Sequence, residues 1–147
     1  MRHASLRDLK AIYRHFQSRR DVFPHIRKDR LRNRIEAGQC VYQNGVVITF
    51  QKYKKRTRVG NVQIPAGSIM LHQILNGRQF NGAGRRVFRQ FVDEIVKPSR
   101  GDLYLSVRTG NAVACRFYER HSMKVAGTVD WKNGTIPGLV YLLAQNK

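Results

Sequence analysis

Apolar residues along this chain recur with two spacings, and the switches between them mark out its elements. After Ser5, a capping residue, Leu6, Leu9, Ile12, Tyr13 and Phe16 keep the spacing of one helix face until Arg19-Arg20-Asp21 interrupts it. A second helix is expected after Pro24, with Ile26, Leu31 and Ile35 inward, Arg27, Lys28, Arg30, Arg32 and Arg34 around them, and a stop at Gly38. Residues 2–4 form a short first strand. Residues 40–42 and 46–53 read as a hairpin, because Asn44-Gly45 supplies the positive φ angles of a tight turn. A basic stretch at 54–58 is followed by 59–66, which leads back through Pro65 to a strand at 68–75. A helix at 87–96 then carries Val87, Phe88, Phe91, Val92 and Ile95 inward and should stop before Pro98. A strand at 102–107, a helix at 111–121 and a closing hairpin, 125–131 and 139–144 around Asn133-Gly134, complete the chain. The order is β-α-α-β-β-β-α-β-α-β-β with one strand-helix-strand crossover at its centre. It predicts a single α/β domain over 1–147, with a mixed central sheet flanked by about four helices.

Composition narrows the class. The hydrophobic fraction of 41%, with seven Phe, six Tyr and one Trp, is enough for a core in a chain of 147 residues. Lys and Arg number 28 against nine Asp and Glu, a formal charge of +19 that no core requires and that speaks of a polyanionic partner. Cys40 and Cys115 lie in apolar stretches without metal-ligand spacing and are read as buried free thiols. No metal site is expected. No apolar segment suggests a signal peptide or a membrane span, so a cytoplasmic protein without a membrane partner is the expectation.

Between the strand at 68–75 and the helix at 87–96 stands Gln79-Phe80-Asn81-Gly82-Ala83-Gly84-Arg85-Arg86. Without Cβ atoms at Gly82 and Gly84 the backbone can turn sharply and bring its N–H groups to a ligand at the positive end of a helix, which suits phosphate. Spacing excludes two common phosphate loops. A dinucleotide fingerprint needs glycine where Val87 stands, and a Walker A loop from Gly77 needs lysine where Ala83 stands.

Gln79-x-x-Gly82-x-Gly84 resembles the pyrophosphate loop of the GCN5-related N-acetyltransferase (GNAT) superfamily, Arg/Gln-x-x-Gly-x-Gly/Ala. Asn111-x-x-Ala114-x-x-Phe117-Tyr118-x-Arg120 resembles that family's Asn-x-x-Ala-x-x-Leu/Phe-Tyr-x-Lys/Arg segment on the following helix, and the opening Arg2-His3-Ala4-Ser5-Leu6 is similar to its first strand and helix. The resemblance spans essentially the whole chain. It implies acetyl-CoA as cosubstrate, with pyrophosphate on the amides from Asn81 through Gly82, Ala83, Gly84 and Arg85 to Arg86, and the pantetheine arm along the strand as far as Ile74. Asn111 would hydrogen-bond the arm, with Ala114 and Phe117 on the same helix. Tyr118 resembles the family's general acid for the departing thiolate, a phenol near ~10 facing a thiol of ~8.5. His72 is the titratable group on the strand before the glycine turn and the candidate base, a structural histidine being the alternative. His25 and Arg27 at the second helix, and Trp131 on the last hairpin, are candidate acceptor contacts. Capping or surface exposure for His25, and packing for Trp131, are the other readings. Dimerisation is common for this fold.

Two positions depart from the family. Ser122-Met123 replaces Gly-Phe after the tyrosine helix, and Gly77-Arg78 replaces Pro-Glu before the loop. No Asp or Glu occurs from Ala37 through Val92. A polycationic acceptor would need acidic groups there, so the charge points instead to an amine on nucleic acid or a ribonucleoprotein component. A binding module for nucleic acid on the same fold, with little or no catalysis, and a small-metabolite acetyltransferase stay open beside it.

Overall fold

Asn44 and Gly45 both lie at positive φ, 52° and 78°, and this turn joins β1 (Cys40–Gln43) to β2 (Val46–Lys52) in antiparallel register with Cys40 opposite Thr49. The computed structural model describes residues 1–77 and 82–145. The chain forms two compact units, Met1–Phe50 with His72–Ile95 and Gln51–Leu71 with Val96–Lys147. Strand β5 (Ile69–Asn76) passes from the second into the first.

In the first unit the expected strand at 2–4 is a single bridge, His3 to Val41. Ser5 opens the first helix as the spacing predicted. Its N–H donates to Asp8 Oδ2 at 2.9 Å while the Asp8 N–H donates to the Ser5 carbonyl, and Arg2 holds the same carboxylate through two bonds of 2.9 Å. A 3-10 turn (Leu6–Asp8) leads into α1 (Leu9–Gln17). From α1, Leu9, Ile12 and Phe16 meet Leu31 and Ile35 of α2 (Lys28–Glu36) and Cys40, Val47 and Leu75 of the strands in one core cluster. Each such side chain contributes about 1.5–3 kcal/mol by leaving water. Helix α2 begins at Lys28 and not directly after Pro24. Phe23 and Ile26 pack against the core cluster and hold 24–27 off the helix axis, Phe23 edge-on to Phe16 at 5.0 Å, and Arg27 is extended at the N-cap.

Helix α3 (Ala83–Phe91) buries Ala83, Val87, Phe88 and Phe91, with the Phe91 ring edge-on to Phe50 at 5.1 Å. It does not stop before Pro98. A wide π turn (Val92–Val96) shifts the backbone register, and Pro98 falls in the first turn of a fresh short helix, α4 (Lys97–Ser99), where its missing N–H costs nothing.

The second unit contains a hairpin that the sequence pattern did not predict, β3 (Thr57–Val59) with β4 (Val62–Ile64), turning at Gly60 with φ 58°. Asn61 ties it to β7 (Lys124–Trp131), its N–H donating to the Thr128 carbonyl at 3.0 Å and its Oδ1 accepting from Thr128 N–H at 2.8 Å. Strand β6 (Leu103–Arg108) pairs in parallel with β5, Ile69 opposite Leu103, which is the crossover that the element order predicted. Helix α5 (Ala112–Arg120) follows, and β7 and β8 (Ile136–Leu143) form the closing hairpin, antiparallel to each other, with β8 antiparallel to β6. The core here gathers Val62, Ile64, Met70, Tyr104 and Val140. The six-stranded sheet reads β1-β2-β5-β6-β8-β7. No helix among the described residues is long and apolar enough to cross a membrane.

Candidate active site

Gly82 is the N-cap of α3 and sits in the left-handed region at φ 76°, a conformation that costs other residues roughly 1–2 kcal/mol. Its N-cap is a glycine and so offers no capping side chain, and its first turn carries no acidic residue. Arg85 and Arg86 lie there instead, both exposed, with the Arg86 guanidinium folded back so that a Cβ on Gly82 would stand 3.2 Å from its Nη1. Two cations at the positive end of a helix dipole are unfavourable, each by about 0.3–1 kcal/mol, unless an anion joins them. An anion at this helix head would offset that repulsion, which is the chemistry the arrangement can perform. Gly84, on the same turn, is different in kind. A Cβ there would make ordinary contact with Asn76, 3.7 Å from Nδ2 and 3.8 Å from Cβ, so the fold itself tolerates a side chain. Gln79 and Asn81, expected to join this loop, lie outside the described residues.

Upstream of the turn, Gly77 donates its N–H to the Gly45 carbonyl at 2.8 Å, and a Cβ on it would overlap the His15 ring. His15 is fixed in turn by a 2.9 Å bond between its Nε2 and the Tyr42 hydroxyl. The glycine at position 77 therefore has a packing cause, and Arg78 lies outside the described residues.

His72 and Ile74 are half-buried on β5. Burial, reinforced by the charge of Arg34, pushes the His72 imidazole down to about 4. His72 borders a cleft of about 860 Å³ that is also lined by His25, Arg27, Arg30, Arg34 and Gln73, so three of the predicted residues, His25, Arg27 and His72, meet in one place. Among the described residues, no Asp or Glu lines it. Arg27 is bridged to Asp29 by bonds of 3.1 and 2.8 Å, and Arg34 donates to Gln39 at 2.9 Å. Arg30, Arg34 and Gln73 were not singled out from the sequence as site residues. Their signal was the 30/34 spacing, one helical turn on an arginine-rich face.

In the second unit, Asn111 is the N-cap of α5, its Oδ1 accepting the Ala114 N–H at 3.2 Å. One lone pair of the carbonyl is thereby engaged, and the Nδ2 amide can donate to a ligand. Phe117 is half-buried and stands edge-on to Tyr118 at 5.5 Å. Tyr118 is 6% exposed, and burial, with a smaller contribution from Cys115, raises its phenol above the usual value. It remains protonated throughout the neutral range but is a weaker acid than a free phenol. Helix α5 ends as glycine-terminated helices do, Met123 N–H bonding the Tyr118 carbonyl and Ser122 N–H the Glu119 carbonyl, each at 3.1 Å. Ser122 takes the left-handed position at φ 67°, and Met123 is buried at 3%. The Ser-Met pair thus fills the roles of the expected Gly-Phe, at the cost of strain at Ser122. Trp131 is half-buried on β7 with its ring over Gly138, where a Cβ would overlap it, which is a packing position. Of the two thiols, Cys40 is buried, and desolvation, with Asp8 nearby, pushes it up to about 12. Cys115 is only half-buried, which corrects the expectation of two buried thiols.

No family model matches the chain, and no curated protein matches it significantly in sequence. Solved structures do match. The ribosomal-protein-S18-alanine N-acetyltransferase of Escherichia coli is 19% identical with a TM-score of 0.69, covering 99% of this chain and 94% of its own. A GNAT-family acetyltransferase from Bacillus cereus is 14% identical with a TM-score of 0.70, covering 99% and 96%. NAA60 of Arabidopsis thaliana in complex with acetyl-CoA is 16% identical with a TM-score of 0.64, covering 95% and 94%. The chain has the GNAT acetyltransferase fold.

Proposed function

We propose, for this chain with its GNAT fold, the activity of an acetyl-CoA-dependent N-acetyltransferase, with residues 1–147 acting as one catalytic domain. The observation that carries the reading is the head of α3, where a left-handed Gly82 and two arginines at the positive helix end fit a pyrophosphate. Acetyl-CoA supplies an acetyl group activated as a thioester. The amides and Arg85 and Arg86 bind its pyrophosphate, β5 past Ile74 guides the pantetheine arm, and Asn111 donates to that arm through Nδ2. The C–N bond forms as the acceptor amine attacks, and the C–S bond breaks. Tyr118, kept protonated by its burial, holds the proton that the leaving sulfur takes. His72 is neutral above about pH 4 and can accept a proton, but as so weak a base it suits a nitrogen that arrives uncharged better than an ammonium.

The acceptor class follows from charge. A net +19, no acidic residue from Ala37 through Val92 and a cleft that no carboxylate lines among the described residues favour an amine carried on nucleic acid or on a ribonucleoprotein component. One solved neighbour is named for acetylating an alanine of ribosomal protein S18. The weak base and the deeply buried phenol support a second reading, a nucleic-acid-binding module on the same fold.

Label from acetyl-CoA traced into nucleic acid, protein and small-molecule fractions of a cell extract tests both. Label is expected in nucleic acid or a ribosomal protein, with Tyr118→Phe lowering turnover by ~10²-fold or more at nearly unchanged acetyl-CoA affinity. Undiminished turnover in that variant removes Tyr118 from the mechanism, and an absence of label in every fraction leaves the binding module.

A further inference from the structure

The cleft bordered by α2 and β5 combines features that an amine pocket does not need. Its volume of about 860 Å³ is near the upper end of small-ligand sites, which run to ~1,000 Å³, and far exceeds what an amine alone would fill. Arg30 and Arg34, one turn apart on α2, both line it, Arg34 also donating to Gln39, and among the described residues no carboxylate lines it. Asp29, outside the lining, engages Arg27 alone by ion pairing, and among the described residues Arg30 has no carboxylate partner. Flat rings stand among these cations: Phe23, His25 and His72. The field of Arg34 reaches across to β5, since it helps depress the His72 imidazole.

Cations interleaved with flat rings are the pattern by which proteins hold single strands, the guanidinium groups following phosphates while bases stack. A base amine inside a duplex is out of reach of cleft chemistry, so the strand is taken as single. We propose that this cleft is a phosphate subsite in which Arg30 and Arg34 hold a phosphodiester of single-stranded nucleic acid while Phe23, His25 and His72 offer faces to its bases. Calling the strand an acceptor rests on the transferase reading above. The subsite itself does not.

The probe is pentathymidylate, compared with its uncharged methylphosphonate analogue, in titrations of the full chain at several salt concentrations. Ring resonances of His25 and His72 report occupancy of the cleft. Pentathymidylate is expected to shift both rings and to bind at least tenfold more tightly than the analogue. Arg30→Ala should weaken it about tenfold and reduce the slope of log affinity against log salt by about 0.7, the share of one phosphate on a single strand, with partial recovery in Arg30→Lys. Lys10→Ala, on α1 and outside the cleft, controls for diffuse attraction to a basic surface. Equal weakening by Arg30→Ala and Lys10→Ala, or ring resonances that do not move, overturns the proposal. Tighter binding of N-acetylated pentaglutamate overturns it too, in favour of an acidic peptide. Acetyl-CoA titrated separately keeps the two readings apart. If acetyl-CoA fails to bind while Arg30-dependent pentathymidylate binding persists, the transferase falls and the subsite stands, and the reverse result removes the subsite alone.

Discussion

Replacing Gly84 with alanine separates what the fold requires from what the cofactor requires. The glycine lies in the first turn of α3 without positive φ, and the added methyl would stand 3.7 and 3.8 Å from Asn76 atoms, ordinary van der Waals separations. Helix propensity then favours the variant, by up to about 0.5–1 kcal/mol. For a chain of this length that corresponds to a rise in Tm of roughly 1–4 °C. The same methyl would sit on the turn whose amides are proposed to bind the pyrophosphate. Loss of that close approach should weaken acetyl-CoA by at least tenfold, about 1.4 kcal/mol. Calorimetric titration with acetyl-CoA, beside thermal melts of the free protein, measures both effects. A variant that is at least as stable as the parent and binds acetyl-CoA equally well would refute the placement of the pyrophosphate at the head of α3. Gly82→Ala cannot make this distinction, because its left-handed φ strains any side chain whether or not a ligand is bound.

Ser122→Gly should relieve the left-handed strain after α5 and raise stability by about 1 kcal/mol in urea unfolding, with no change expected in acetyl-CoA affinity. Gly77→Ala should destabilise by roughly 1–3 kcal/mol, read in the same assay, because the new methyl overlaps the His15 ring. His72 takes up its proton only near pH 4 in the folded protein and near 6.5 once unfolded, so stability should fall as pH drops from 6.5 toward 4. Unfolding midpoints across that range should flatten in His72→Gln by up to one proton, ~1.4 kcal/mol per pH unit, and an unchanged slope would show that the imidazole titrates normally.

Local signals in the sequence were enough for most elements. Asn44-Gly45 announced a hairpin because only the turn decides which residues can take positive φ, and Ser5 and Gly38 bracket helical runs for equally local reasons. Of the helix face read from spacing, Leu9, Ile12 and Phe16 are buried and Tyr13 packs against them, whereas Leu6, in the opening 3-10 turn, is exposed. The hairpin β3–β4 escaped because three-residue strands have no periodicity to read, and Asn61 secures it through Thr128, far along the chain. The π turn before Pro98 escaped for a related reason. A proline forbids a particular hydrogen bond but does not say whether the chain ends its helix or shifts register.

For the candidate site, residue types and spacing by themselves carried the proposed chemistry: two glycines at a helix head beside two arginines, and an asparagine, alanine and tyrosine on one helix face. Those choices depend on neighbours a few residues away. Tertiary structure alone decided the state of each group. It buried Tyr118 and so raised its phenol, set Arg34 near His72 and so lowered the imidazole, turned the Asn111 carbonyl into a helix cap, and laid Trp131 over Gly138. It also gathered Arg30 and Arg34 with Phe23, His25 and His72 around one cleft. Desolvation and Coulomb interactions depend on distance in space, and separation along the chain carries little information about that.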